Sequence, residues 1–112
     1  MTRRDRERLN DVLVAISAIR GHLRRGDLSD GLVFDAVRVR LIEIGEAVKA
    51  TSDTTLSAVS DIPWSEVAGM RDRLAHSYFA TSHAILHATV TEDLSELEVA
   101  VDRLLDGLDD GA

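Results

Sequence analysis

Apolar residues return every three or four positions along almost the whole of this chain, a spacing that admits helices and little else. Leu9, Val12, Leu13, Ile16, Ile19 and Leu23 follow the i, i+3, i+4, i+7 pattern that lays one stripe on one helical face. A first amphipathic helix is therefore expected from Arg6 to about Arg25. Gly26-Asp27 interrupts the pattern. A second stripe, Leu32, Val33, Val37, Leu41, Ile44 and Val48, predicts a helix from Asp30 to about Thr51 with Ser29 or Asp30 as its cap. Residues 51–62 are polar and capping-prone, which suits a connector with room for one short helical turn.

The only proline, Pro63, sits where its fixed φ and missing N–H are tolerated, in the first turn of a third helix running to about Tyr78. Trp64, Val67, Met70 and Leu74 would form its buried face, with Trp64 as a core anchor. Ser82 can cap a final stretch carrying Ile85, Leu86, Val90, Leu94, Leu97, Val101, Leu104 and Leu105. That stretch would bend near Glu92-Asp93, and Gly107 with the acidic Asp109-Asp110 would end it. The sum is a single all-α domain over residues 1–112, four main helices in an antiparallel bundle.

Composition narrows the function classes. With no cysteine among 112 residues, neither a disulfide framework nor a thiolate zinc site can form, which suits the reducing cytoplasm. No apolar export signal or membrane-length stretch is visible, so no membrane association is expected. A net charge of −7 argues against a general nucleic-acid coat protein, whose affinity comes from clustered Lys and Arg. The charge is uneven: residues 1–50 carry +2 and residues 51–112 carry −9. Any RNA contact must use a local arginine patch.

The segment Gly69-Met70-Arg71-Asp72-Arg73-Leu74-Ala75-His76-Ser77-Tyr78-Phe79 is where chemistry concentrates. Helical geometry puts Asp72 and His76, four apart, on one face, so that Asp72 could accept a hydrogen bond from His76 and set its tautomer. Arg71 and Tyr78 fall on one line roughly 10 Å apart along the axis. Arg71 and His76 diverge by about 140°, and a two-fold contact between two copies of the segment would bring them around one cleft. The residue types suit RNA cleavage without a metal, in which the ribose 2′-hydroxyl attacks its own phosphate. Histidine moves the proton, arginine grips the phosphate, and Tyr78 can hydrogen-bond the same group. A solvated helix face with a packed tyrosine would use the same residues without chemistry.

Arg71-(four residues)-His76-Ser77-Tyr78 resembles the R-x-x-x-x-H-x-Y signature of HepT toxins in the HEPN superfamily, including the polar Asp72 after the arginine. Gly45-Glu46-Ala47, Ile62-Pro63-Trp64 and Met70-Arg71-Asp72 match further landmarks of that family in order, so the resemblance covers nearly the whole chain. It implies a four- to five-helix bundle, a homodimer with the motif lining its interface, and a metal-independent endoribonuclease with Arg71 and His76 as the catalytic pair. It also implies a partner, a minimal nucleotidyltransferase antitoxin of the MntA type that transfers AMP from ATP onto Tyr78. A nucleotide there adds bulk and negative charge where substrate phosphate should bind. The chain lacks the G-S and D-x-D pattern of such a transferase and reads as the acceptor.

Other candidates are weaker. His83 and His87 are four apart, but no carboxylate or cysteine completes a metal site near them. Glu43 and Glu46 resemble di-metal bundle carboxylates without the Glu-x-x-His pairing those sites require. Neither a metal nor a cofactor is expected. Glu46 fits better as an orienter of the motif arginine or as the cap of a packing contact beside Gly45, a supporting or a purely structural role. Arg3, Arg4, Arg6, Arg8, Arg24 and Arg25 would either steer RNA or form a solvated basic face. The rival to the ribonuclease is a non-catalytic helical module that only holds a nucleotidyltransferase partner.

Overall fold

Six α-helices and one π-helical turn make up most of the described chain, which in this computed structural model comprises residues 3–76 and 79–110, the side chains of 79, 80 and 108–110 excepted. They are α1 (Arg3–Arg25), α2 (Gly31–Lys49), α3 (Asp53–Leu56), α4 (Trp64–His76), α5 (Phe79–Ala88) and α6 (Leu94–Asp110), with the π turn at Thr89–Asp93 joining the last two. Among the described residues there is no strand, and no helix is long and apolar enough to cross a membrane.

The stripes become the core. Leu9, Val12, Ile16 and Ile19 of α1 and Val37, Leu41, Ile44 and Val48 of α2 are buried, together with Leu74, Leu86, Leu97, Val101 and Leu104. α2 lies against both α1 and α4, and α6 packs on α1. An ion pair closes that last contact, Arg20 Nη1 reaching Glu98 Oε2 at 2.7 Å.

Local chemistry sets the helix ends. Asp30 caps α2, its carboxylate accepting from the amides of Leu32 at 2.9 Å and Val33 at 3.4 Å, two of the donors a helix start leaves unpaired. Trp64, half-buried, donates its indole N–H to the Val59 carbonyl at 2.7 Å and so ties the start of α4 to the connector.

Three boundaries differ from those the periodicity suggests. α1 begins at Arg3 because its first turn has a tertiary partner. Asp5 is only 4% exposed and accepts from the Ser52 amide (3.1 Å), the Ser52 hydroxyl (2.7 Å) and the Thr55 hydroxyl (2.8 Å). The helix after the motif begins at Phe79, so Ser82 is not its cap but a buried residue inside α5. The bend expected near Glu92-Asp93 is the π turn. There Thr89 and Thr91 donate their hydroxyls to the carbonyls of Ile85 (2.8 Å) and His87 (2.7 Å) four residues back, a competition with the α-helical ladder that bends helices.

Candidate active site

The site starts from a glycine. Gly45 is buried in α2, and a Cβ placed on it would fall 2.9 Å from the Arg71 backbone nitrogen and 3.2 Å from the carbonyl oxygens of Ala68 and Val67. Only a residue without a side chain lets α2 and α4 approach so closely. Glu46, the next residue, therefore stands within reach of the α4 side chains.

Glu46 uses that position to hold Arg71. Arg71 Nε donates to Glu46 Oε1 at 2.8 Å and Arg71 Nη1 to Asp72 Oδ1 at 3.2 Å. The hydrogen bond from Arg71 to Glu46, followed by the charges of Glu46 and Asp72, raises the guanidinium pKa further above its ordinary value. Arg71 is thus a permanent cation. Of its five N–H donors two are engaged among the described residues, Nε by Glu46 and one on Nη1 by Asp72. All three side chains are exposed, at 45% for Arg71, 54% for Glu46 and 63% for Asp72. In such surroundings an ion pair adds little stability; its effect is to fix direction.

His76 is exposed in the last turn of α4. Among the described residues no side-chain hydrogen bond joins its imidazole to Asp72, whose carboxylate is turned to Arg71 instead. The helix thus gathers Glu46, Arg71 and Asp72 into one cluster and leaves His76 separate from it, as the 140° divergence on an unbroken helix requires. Ser77 and Tyr78 lie outside the described residues.

One contributor was not visible in the sequence. Arg38, half-buried on α2, directs both Nε (3.1 Å) and Nη2 (2.6 Å) onto the carbonyl oxygen of Leu74, two residues before His76. The available signal was a basic residue between the core positions Val37 and Leu41, where a cation needs a partner.

The other candidates are placed as follows. Glu43 pairs with Arg40 at 3.3 Å, away from Glu46's partner. The half-buried His83 stacks on the buried ring of Phe34, centroids 5.7 Å apart and planes within 10°, while His87 is exposed. Arg3 and Arg8 pair with Glu7 and Asp11 of their own helix, each at 3.4 Å. A groove of about 420 Å³ between α1 and α2 is walled by Arg8, Asp11, Glu43 and Glu46, so it leads to the Glu46–Arg71 pair with more acidic than basic side chains.

A family model described as Ribonuclease HepT-like matches residues 10–104. The chain is 33% identical over 108 residues to a Thermococcus cleftensis protein whose name calls it a ribonuclease HepT, across 93% of this chain and 98% of that one. It is 43% identical over 68 residues to a protein named as an RNase from Caldanaerobacter subterraneus subsp. tengcongensis, across 60% of this chain and 61% of the relative. It is also 30% identical over 105 residues to a Methanocaldococcus jannaschii protein named for both gamma-glutamylcyclotransferase and RNase, across 90% of this chain but 47% of the relative. The match thus spans nearly all of one relative and about three fifths and one half of the other two. No solved structure matches the chain.

Proposed function

Because the chain belongs to the HepT-like ribonuclease family, we propose that it is the endoribonuclease toxin of a toxin–antitoxin pair, acting on RNA in the cytoplasm without a metal. The observation that carries this reading is the presentation of Arg71. Two carboxylates orient the guanidinium, which has three donors without a partner among the described residues, on the same short helix as an exposed histidine.

In the proposed reaction the 2′-hydroxyl of the ribose attacks the adjacent phosphorus as His76 takes its proton, and the phosphorus–O5′ bond breaks as the protonated His76 returns that proton to O5′. The products are a 2′,3′-cyclic phosphate and a free 5′-hydroxyl. Arg71 binds the non-bridging oxygens and offsets the charge that builds there. Glu46 and Asp72 hold Arg71, so the role first considered for Asp72, orienting His76, passes to orienting the arginine. Tyr78 contacts the substrate phosphate.

The divergence of Arg71 and His76 supports a homodimer in which two copies of α4 face each other, so that each cleft draws on both chains. Leu32, 83% exposed, and Val39, 48% exposed, share with Glu46 a seven-residue spacing along α2. They provide apolar surface on the face that leads to the site. The antitoxin partner is a minimal nucleotidyltransferase that attaches AMP to Tyr78, blocking the cleft with a charged group.

The deciding experiment compares purified wild type with an Arg71→Ala, His76→Ala double variant on a defined single-stranded RNA in EDTA. Cleavage by the wild type alone, leaving 2′,3′-cyclic phosphate ends, supports the reading. Equal RNA integrity with both proteins refutes it and favours the non-catalytic module that holds a nucleotidyltransferase.

A further inference from the structure

The residues that hold the motif in place come from α2, and they hold it at two points. Glu46 fixes the Arg71 side chain at the start of the motif. Eight residues earlier, about 12 Å along the helix, Arg38 grips the main chain at the middle of the motif, its Nε and Nη2 converging on the Leu74 carbonyl at 3.1 and 2.6 Å. An arginine is well suited to that oxygen, because its planar guanidinium brings two charged donors to one acceptor. Leu74 is anchored from both directions: its side chain is fully buried and its oxygen is gripped by a planar fork. His76 follows two residues later, and its imidazole has no hydrogen-bonding partner among the described residues.

We propose that Arg38 is a positioning residue for His76, and that Arg38 and Glu46 together make α2 the frame that sets the arginine and the histidine of α4 relative to each other. The inference rests on the ribonuclease reading for its kinetic consequence but not for its structural one. Because Arg71 and His76 point apart on their own helix, α4 alone does not define how the two share a substrate. The separation of the two contacts on α2 does. Arg38 touches no substrate and acts through the peptide that carries His76.

The test uses Arg38→Met, which removes the donors, Arg38→Lys, which keeps the charge but not the fork, and Arg40→Met as a control for loss of a surface cation on the same helix. Two readings are taken on folded protein. The first is the imidazole resonances of His76, assigned by their loss in His76→Gln, with those of His22 on α1 as an internal reference. The second is the steady-state kinetics of RNA cleavage. Arg38→Met is expected to displace or broaden the His76 signals while sparing those of His22, and to lower kcat at least tenfold with KM within about threefold. Arg38→Lys should fall between it and the wild type, and Arg40→Met should match the wild type. Unchanged His76 signals and kcat in a folded Arg38→Met protein would overturn the proposal, as would an effect confined to KM. Unfolding of both Arg38 variants would also overturn it, by making Arg38 a general packing residue. If the wild type cuts no RNA, the ribonuclease reading fails by itself, and the His76 signals still decide the role of Arg38.

Discussion

Glu46 Oε1 lies 2.8 Å from Arg71 Nε, one residue after the close approach of α2 to α4 at Gly45. The arginine is thereby oriented from another helix, by a contact whose stabilising effect is small because both partners face solvent. Glu46→Ala should therefore leave the thermal unfolding midpoint nearly unchanged while lowering kcat/KM for RNA about tenfold. Calorimetry and cleavage kinetics on the same preparation check both halves. A large loss of stability with full activity would give Glu46 a structural role instead.

Gly45→Ala should damage both properties. Its Cβ would meet backbone atoms at 2.9 and 3.2 Å, which cannot rotate away as a side chain tip can, so the helices must separate. Overpacking of this kind costs about 1–3 kcal/mol, readable from urea unfolding. The displaced Arg71 should reduce cleavage further than the lost stability explains.

Asp5 should make the protein acid-sensitive. Burial acts to raise its pKa, but hydrogen bonds from the Ser52 and Thr55 hydroxyls and the Ser52 amide outweigh it and hold the carboxyl below its ordinary 3.8. A group depressed on folding stabilises the fold above its unfolded pKa and loses that contribution as pH falls through the folded value. Asp5→Asn should therefore be less stable than wild type at neutral pH, and the gap should narrow below about pH 4. Asp5→Ala, which leaves three donors without their acceptor, should cost about 2 kcal/mol at pH 7. Urea titrations from pH 3 to 7 would measure both.

Tyr78→Phe separates regulation from cleavage. The variant should cleave RNA more weakly, because the phosphate contact of the hydroxyl is lost, but it should gain no AMP and lose no further activity when incubated with ATP and the cognate nucleotidyltransferase, whereas the wild type gains AMP and loses its activity. Intact-mass spectrometry reads the modification directly. Modification of the phenylalanine variant would move the acceptor elsewhere.

The helices were legible because their stripes are local facts: most stripe residues of α1 and α2 are buried, but Leu32, placed on the α2 stripe, is 83% exposed, and Phe34, two residues on, is buried in its stead. The misplaced boundaries depended on distant partners. Nothing near Arg3 announces that Asp5 will meet Ser52 and Thr55 some fifty residues away, and Ser82 reads as a cap only until its burial is known. The site divides in the same way. Glu46 could be named as a candidate orienter of Arg71, with a packing role beside Gly45 as the alternative; the hydrogen bond to Arg71 decides between them. The choice of Asp72 between Arg71 and His76 depends on side-chain directions that spacing alone does not fix. Arg38 was invisible because an arginine on an amphipathic helix does not reveal which carbonyl lies across from it.

The wide turn at Thr89–Asp93 has a consequence for the length of the chain. Leu86 and Leu94 are both buried, yet eight residues on an ideal α-helix would set them about 80° apart. A π turn absorbs one extra residue, which brings the effective spacing to seven and returns the two leucines to within about 20° of each other. The segment behaves like an insertion that the helix has accommodated without surrendering its phase. A chain shortened by one residue within 89–93 should straighten the helix and keep both halves of its apolar stripe on the bundle, whereas the same deletion farther along α6 would rotate Val101 and Leu104 toward water.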